Sequence, residues 1–363
     1  MRVSEAAYEG HCRHIDRALS RFEDGQFDEA LAELDMALEF CDSPNARWNR
    51  AQALLALGRY REGWDGYAAR WQLFPGAATE RGAQLRRDLP EWRGERLRGK
   101  RLVVIHEAGF GDTIMLLRLV KRLRSDAAHS HCQVALEMPP ELARLACQVA
   151  PMAGEVGERD VQCSTFDLPR LLGITPATVP AGPYLQPELK QRQEWRYLVA
   201  GEQRLKVGIA WSTTRAHGAK RAVPLRGLLD LVGPHNALYS LQAHDREAAE
   251  AHGVAAPRYG DFADVAAVAS LMNKVVSIDT AALHVAGAIG HPDVTALLPP
   301  VPCWRWHNGN PWYPNIKART WHSLNWGAAL PRPCSPSPSR SAAASAFLAG
   351  DILLLSATRS PNR

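Results

Sequence analysis

The sequence lacks the features that would place it in several large protein classes. Its seven cysteines form no Cys-x-x-Cys pair, and their odd number and scattered positions argue against a disulfide framework and a zinc ribbon. No run of about 18 apolar residues occurs, so we predict no membrane span. Residues 1–14 contain no apolar stretch of the kind that a secretory leader needs. We therefore expect a cytoplasmic protein that is not transmembrane.

Neither a metal centre nor a nucleic-acid partner is indicated. His11, Cys12 and His14 lie close together, but no second ligand pair occurs at zinc-finger spacing, so we predict no metal site. The net charge of +5 over 363 residues is modest and does not indicate nucleic-acid binding. With 46 % hydrophobic and 22 % charged residues, the chain has the composition of a globular protein with a sizeable core.

The first 80 residues contain an internal repeat. The segment GQFDEA at residues 25–30 recurs as GRYREG at residues 58–63, and each copy indicates two amphipathic helices joined at a Gly-x-aromatic turn. This pattern resembles the tetratricopeptide repeat, which has a period of about 34 residues. A plain pair of helical hairpins is the alternative. Because arrays of this kind usually need about three repeats, we expect the two units to pack on the rest of the chain.

From residue 101 the pattern changes to alternating strands and helices. An apolar run at 101–106 predicts a buried strand, and apolar spacing at 112–124 predicts a helix. Two such blocks predict two parallel-sheet domains that face each other. The further predicted elements are strands at 133–138, 206–211, 237–242 and 274–278, and helices at 140–149, 265–272 and 280–289.

We divide the chain into five parts on these patterns. Residues 1–80 form the helical repeats and 81–100 a linker, and the two α/β domains lie at 101–185 and 186–328. Residues 329–363 form a low-complexity tail that is rich in serine and proline. Within the tail, the apolar stretch at 342–355 predicts one helix.

Two strand-to-helix junctions carry candidate binding residues. Gly109 and Gly111 precede the helix that begins near Asp112, and they let another molecule approach the backbone. An Asp at this place is also common as a simple helix cap. The second junction holds Asp279, Thr280, Ala281, Ala282 and His284, whose small side chains expose backbone N–H groups to an anion. A capped core helix with a buried histidine is the alternative.

Two further segments are less specific. Ser212 begins a polar loop that also holds Arg215, His217, Lys220 and Arg221, and such hydroxyls and cations can hold a pyrophosphate. The aromatic residues at 304–306 and 311–314 can stack on a base or a sugar ring, and they can equally fill a core.

Taken together, these motifs resemble glycosyltransferase family 9, in the version with N-terminal tetratricopeptide repeats. Lipopolysaccharide heptosyltransferases belong to that family, and protein O-linked N-acetylglucosamine transferases are similar in layout. The resemblance extends from Trp92 to about Trp321. It is carried by residues 91–100, 109–118, 207–211, 221–225, 241–242, 261–262, 279–290, 304–306 and 311–314.

The resemblance implies two facing Rossmann-like domains (the GT-B arrangement), the first for the acceptor and the second for a nucleotide-sugar, without a metal or another cofactor. It implies Asp112 as general base, with Gly109 and Gly111 in the acceptor-side loop. It implies donor-binding roles for Arg221, Asp279, Thr280, Ala281 and His284. The motifs themselves add Ser212 and Ala282 as donor-binding candidates. We expect the acceptor to be a glycan, a lipid-linked saccharide or a protein, and we expect the helical repeats to offer a surface for a protein partner.

Two other functions compete with this interpretation. One is a non-catalytic repeat scaffold with a degenerate transferase body, for which Asp112 need not face Thr280 and His284. The other is a nicotinamide-dependent oxidoreductase, which is disfavoured because no complete Gly-x-Gly-x-x-Gly with a later acidic residue is present.

Overall fold

The computed structural model describes residues 4–73, 89–126, 132–155, 157–158, 160–214 and 221–321, together with the backbone of two strands at 346–349 and 352–355. Several predicted features lie outside the described residues. These are linker residues 81–88, the loop residues Arg215, His217 and Lys220, and most of the tail.

The chain begins with a helical head, residues 4–73. Its helices are α1 Glu5–Glu23, α2 Phe27–Phe40, α3 Pro44–Ala56, α4 Tyr60–Tyr67 and the short α5 Arg70–Leu73. The two repeated glycines, Gly25 and Gly58, adopt positive φ angles of 74° and 78° directly before α2 and α4. Glycine adopts this conformation without steric cost, which explains the tight turns. The head is thus two helical hairpins, and its tetratricopeptide assignment stays a prediction.

Small residues let the helices of the head approach closely. A Cβ atom on Gly63 would lie 2.8 Å from the Leu55 side chain, so α4 packs directly on α3. At the other hairpin, His11 Nδ1 lies 2.8 Å from the Ala37 carbonyl, and His14 Nδ1 lies 2.6 Å from the Glu33 carboxylate. Both histidines therefore connect α1 to α2.

The first α/β domain is a three-stranded parallel sheet with strand order β2-β1-β3. Short apolar strands alternate with helices, as the sequence predicts for 101–149. The elements are β1 Arg101–Ile105, α6 Phe110–Ser125, β2 Gln133–Glu137, α7 Pro140–Ala146, β3 Asp160–Ser164 and α8 Leu168–Leu171.

The second α/β domain is a five-stranded parallel sheet with strand order β5-β4-β6-β7-β8. The helix α9 Leu189–Glu194 precedes it. The elements after α9 are β4 Lys206–Ala210, α10 Leu225–Val232, β5 Ala237–Ser240, α11 Arg246–Ala251, α12 Phe262–Ala269, β6 Lys274–Ile278, α13 Ala281–Ala288, β7 Val294–Leu298 and β8 Lys317–Thr320. In such sheets the carboxyl ends of the strands meet at one edge, so the residues directly after β4 and β6 are neighbours.

The prediction of a single helix at 342–355 is wrong. The described backbone forms two strands there, β9 Ala346–Ala349 and β10 Ile352–Leu355, paired antiparallel. Their backbone lies beside α1 and α3 of the head. Apolar runs of this length do not distinguish a short hairpin from a buried helix, because both bury apolar side chains.

The head packs on both α/β domains. Arg70 of α5 is buried and donates to Glu107, which comes after β1, at 2.8 Å and 3.0 Å, and to Asp167, which comes after β3, at 2.8 Å. Trp312 Nε1 of the second domain donates to the Tyr60 hydroxyl of α4 at 3.0 Å. The expected packing of the two repeat units on the rest of the chain is therefore present. No helix in the described ranges combines the length and hydropathy that a membrane crossing needs.

Candidate functional site

The first turn of α6 forms one side of the site. Asp112 is the third residue of the helix, and its Oδ2 accepts the Gly109 backbone N–H at 3.1 Å. Its side chain is 21 % exposed. Asp112 therefore serves as a helix cap, which is one of the two roles that the sequence left open. One carboxylate oxygen, Oδ1, faces away from that cap.

The junction between β6 and α13 forms the other side. Thr280 is the N-cap residue of α13, but its hydroxyl lies 3.2 Å from Ser277 Oγ and caps no described N–H group of the helix. Ala281 and Ala282 open the helix with methyl side chains only. A helix start of this kind, at the carboxyl end of a parallel strand, favours an anion.

The two helix starts touch each other. A Cβ atom on Gly111 of α6 would lie 2.6 Å from His284 Cδ2 and 3.4 Å from Ala281 Cα. The structure thus brings the Asp112 turn against the Thr280–His284 turn, across the boundary between the two sheets. The described contacts of the Asp112 carboxylate itself are with Gly109 and Arg305, so its role as a base facing Thr280 and His284 stays a prediction.

A buried carboxylate lies beneath the second turn. Asp279 is 3 % exposed, and its Oδ1 lies 3.1 Å from His284 Nε2. Arg221 Nη1 donates to the Asp279 carbonyl at 2.8 Å and lies 3.7 Å from the carboxylate. Burial alone would raise the pKa of Asp279, but the hydrogen bond from His284 and the charges of His284, Arg221 and Arg305 hold that pKa well below its ordinary value. The lowered pKa favours the charged form of Asp279, which contacts His284 and Arg221.

His284 is fixed from both sides of its ring. Because a carboxylate only accepts hydrogen bonds, Nε2 is the ring nitrogen that carries hydrogen toward Asp279. The other nitrogen, Nδ1, lies 3.1 Å from the Tyr313 hydroxyl. Tyr313 packs on α13 at Gly287, where a Cβ atom would lie 2.4 Å from the tyrosine ring. Burial raises the pKa of Tyr313 well above its ordinary value, so its hydroxyl keeps its proton.

Arg305 is a site residue that the sequence motifs did not predict. Its guanidinium forms an ion pair with Asp112, although 193 residues separate the two positions in the chain. Arg305 also lies 3.3 Å from Cys303 Sγ, which in turn lies 3.7 Å from the Asp279 carboxylate. The Trp-Arg-Trp motif was the available signal, but only its aromatic residues were assigned a possible role.

Ser212 lies at the same edge of the second sheet, after β4, which neighbours β6. Its hydroxyl accepts from Gln242 Nε2 at 2.8 Å, lies 2.9 Å from His244 Nε2 and also contacts Asp245. Gln242 further accepts the Ser212 N–H at 3.1 Å. Ser212 thus belongs to a local polar network, and among the described contacts none joins it to Thr280.

The aromatic motif is part of the core. Trp304 and Trp312 are 2 % and 0 % exposed, and their rings pack around Tyr60 of the head at 6.3 Å and 6.4 Å between centroids. Of the two roles left open by the sequence, packing is the one that these two tryptophans fill. Trp306 instead lies beside His284, with 5.9 Å between ring centroids.

Two further features delimit the site. Among the described residues, no group of three or more His, Cys, Asp or Glu side chains is arranged to hold a metal ion. A cavity of about 410 Å³ lies along the C-terminal half of α6, and its lining includes Arg118, Lys121 and Arg122. It is therefore separate from the Asp112 turn.

The chain is similar in sequence to one larger bacterial protein. No family model matches the chain. The protein FlbA of Caulobacter vibrioides (strain ATCC 19089 / CIP 103742 / CB 15) is 26 % identical over 348 residues, which cover 83 % of this chain and 57 % of that protein. The chain thus spans little more than half the length of this relative.

Three solved structures are similar in part. A family 9 glycosyltransferase from Veillonella parvula matches with a TM-score of 0.46 and 12 % identity, over 63 % of this chain and 88 % of that one. The ADP-heptose lps heptosyltransferase II of E. coli matches with a TM-score of 0.45 and 12 % identity, over 60 % and 90 %. A mutant O-GlcNAc transferase of Thermobaculum terrenum matches with a TM-score of 0.27 and 13 % identity, over 86 % and 82 %. With TM-scores below 0.5, these likenesses carry no weight in assigning a function.

Proposed function

We propose that the chain is a glycosyltransferase of the GT-B type, which moves a sugar from a nucleotide-sugar donor to an acceptor hydroxyl without a metal ion. The observation that carries this proposal is the meeting of two helix starts, one bearing Asp112 and the other Thr280 and His284. A base and an anion-binding turn on opposing domains are what such a transfer needs.

In the proposed reaction, Asp112 takes the proton of the acceptor hydroxyl as that oxygen forms a bond to the anomeric carbon of the sugar. The bond between the anomeric carbon and the phosphate oxygen breaks, and the electron pair leaves with the nucleoside diphosphate. The N–H groups at the start of α13 and the guanidinium of Arg221 stabilise the growing negative charge. Because these groups supply positive charge, the proposal needs no metal.

The partners of this reaction are proposals as well. The donor is a nucleoside diphosphate sugar bound by the second domain, with Ser212, Asp279, Thr280, Ala281, Ala282 and His284 near it. The acceptor is a glycan, a lipid-linked saccharide or a protein, bound by the first domain near Gly109 and Gly111. The head, if it is a tetratricopeptide array, offers a surface for a protein partner.

A non-catalytic scaffold is the second candidate, and one observation favours it. Gly111 packs directly on His284, and Asp112 is engaged by both Gly109 and Arg305. An interface of this kind joins the two domains without needing a substrate. The two candidates differ in whether a nucleotide binds at the α13 start.

The deciding experiment is a thermal-shift screen of the full chain with UDP-, GDP-, ADP- and CMP-sugars. A ligand at about 100 times its dissociation constant adds roughly 2.7 kcal/mol to stability, which is a measurable rise in melting temperature. We expect one nucleotide to give this rise and Thr280→Val with His284→Asn to abolish it. The donor found in this way is then used to assay transfer by Asp112→Asn, which keeps the shape of the side chain but removes its basicity.

Asp126→Asn is the matched control for the transfer assay. It makes the same substitution at the opposite end of α6, where Asp126 is the C-cap residue. We expect it to retain donor binding and transfer. A folded protein that binds none of the four nucleotide-sugars contradicts the enzyme proposal and supports the scaffold.

A further inference from the structure

The guanidinium of Arg305 contacts one carboxylate of the site directly and is linked to the other through Cys303. It pairs with Asp112 of the first domain, and its charge acts on the buried Asp279 of the second. Its side chain is only 13 % exposed. One cation therefore pairs with the proposed base and also acts on the carboxylate that precedes the α13 turn.

The hydrogen-bonding capacity of Arg305 is not used up by these contacts. A guanidinium carries five N–H donors in a planar fork that matches phosphate oxygens in a bidentate manner. In the described part of the chain, Nη2 contacts Asp112, Nη1 contacts Cys303 Sγ, and Nε has no hydrogen-bond partner although it is buried. A buried N–H without a partner is costly, so the site favours a further acceptor beside Arg305.

The helical head packs around the aromatic ring that lies against this guanidinium. The guanidinium lies 4.4 Å from the centre of the Trp304 ring. Trp304 packs edge-on against Trp64 of α4, with 5.1 Å between centroids, and against Tyr60 and Trp312. The ring against which the guanidinium lies is therefore itself held by aromatic contacts with α4 and Trp312.

We propose that the donor diphosphate and Asp112 compete for Arg305. A diphosphate at the start of α13 takes the guanidinium, and this exchange frees the Asp112 carboxylate to receive the proton of the acceptor hydroxyl. Arg305 is then a ligand of the leaving group. It also makes the release of Asp112 from the ion pair depend on the bound donor. This inference rests on the proposed function.

The test is a double-mutant cycle on diphosphate affinity, measured by isothermal titration calorimetry of the full chain with ADP, GDP, UDP and CDP. Arg305→Gln is expected to weaken binding of the preferred nucleotide by about tenfold or more, because a hydrogen-bonded charge is lost. Asp112→Asn is expected to tighten binding roughly tenfold, because the competing carboxylate is gone. In the Arg305→Gln background, Asp112→Asn is expected to have no such effect, since there is no guanidinium to release.

Arg204→Gln is the matched control, because Arg204 lies in the same domain and pairs with Glu202 at the surface. It is expected to leave the affinity unchanged. If Arg305→Gln does not fold, Asp112→Asn and Arg305→Lys still test the proposal, the latter by a smaller loss of affinity.

Three outcomes overturn the inference. If Asp112→Asn still tightens nucleotide binding in the Arg305→Gln background, the gain in affinity comes from removing charge repulsion, and this contradicts competition for Arg305. Binding that depends on Thr280 and His284 but is indifferent to Arg305 refutes this inference and leaves the proposed function standing. Absence of binding by all four nucleotides to the wild type refutes both.

Discussion

At the scale of single residues, Gly111 shows how little room separates the two domains. The added Cβ that would lie 2.6 Å from His284 meets a ring that Asp279 and Tyr313 hold on both sides. Because both ring nitrogens of His284 have partners, a side chain at Gly111 must displace either this ring or α6.

We therefore expect Gly111→Ala to destabilise the protein. Overpacking lowers the free energy of unfolding by about 1–3 kcal/mol. Replacing a helical glycine by alanine raises it by at most about 1 kcal/mol, so the net effect should be destabilising. Chemical denaturation monitored by tryptophan fluorescence measures the change. Gly154→Ala is the matched control, because a Cβ there meets no atom within 4 Å. Equal stability of the two variants would show that α6 and α13 are not in tight contact.

Local sequence patterns predict some residues of the site, but they do not predict residues whose role depends on a distant contact. Asp112 and Thr280 were found because each comes after a strand and opens a helix, which is a local pattern. Arg305 was missed because its role depends on a contact with Asp112 across the fold, and no spacing rule predicts a pair that far apart. Glu107 directly precedes the glycine turn, yet it serves Arg70 of the head, again through a distant partner.

At the scale of elements, an ion pair joins α7 of the first domain to α12 of the second. Arg144 donates to Asp261 at 2.8 Å and 2.6 Å and to Asp264 at 2.8 Å. Asp261 is also the N-cap of α12 and accepts two N–H groups of its first turn. The cap of one helix thus fixes the position of another.

The ion pair at this junction predicts that the stability of the protein depends on pH in the acid range. Burial alone would raise the pKa of Asp264. The hydrogen bonds from Gln191, the Gly260 N–H, Arg144 and Trp195 outweigh burial and lower this pKa to about 2. An unfolded Asp titrates near about 3.9. Because the folded pKa is the lower one, the contribution of Asp264 to stability is complete above about pH 4 and is lost as the pH falls toward about 2.

We expect the difference in free energy of unfolding between the wild type and Asp264→Asn to shrink over that window. Urea denaturation at several pH values between about 2 and 6 measures it, and comparing the two proteins cancels the titration of all other carboxylates. Asp230→Asn, an exposed position on α10, is expected to show no such trend. A constant difference across the window would contradict the assignment of the lowered pKa to Asp264.

Most of the elements with a continuous apolar pattern were predictable. The predicted strands near 101, 133, 206, 237 and 274 and the helices near 112, 140, 265 and 280 are all present within a few residues of their expected ends. Strands β3 and β7 were not predicted, although all of their residues are buried. Strand β8 was not predicted either, because all four of its residues are exposed and it carries no apolar alternation. It is a strand only because β7 pairs with it.

At the scale of the whole molecule, the head and the two domains form one packed unit. Arg70 is a buried charge whose partners, Glu107 and Asp167, lie in the first domain. Burial alone would lower the pKa of Arg70, but these two carboxylates raise it well above its ordinary value, so it stays charged. Tyr67 of the head also stacks on Phe166, with 5.1 Å between centroids.

This packing leads us to expect that the head does not unfold separately. Removing one partner of a buried ion pair costs about 3–5 kcal/mol, because the other charge is left without compensation. Arg70→Ala should therefore lower the stability of the whole chain by that amount. Arg59→Ala removes an exposed pair with Glu62 on the adjacent helix and should cost at most about 1 kcal/mol.

The measurement is urea unfolding monitored both by far-ultraviolet circular dichroism, which is dominated by helices, and by tryptophan fluorescence. Coincident transitions in the wild type indicate one cooperative unit. If the head were an independent module, Arg70→Ala would shift only an early helical transition and leave the later one in place. A single transition that moves as a whole instead means that the head is a structural part of the same unit as the two α/β domains. In that case it also supports, through Trp304, the position of Arg305 in the site.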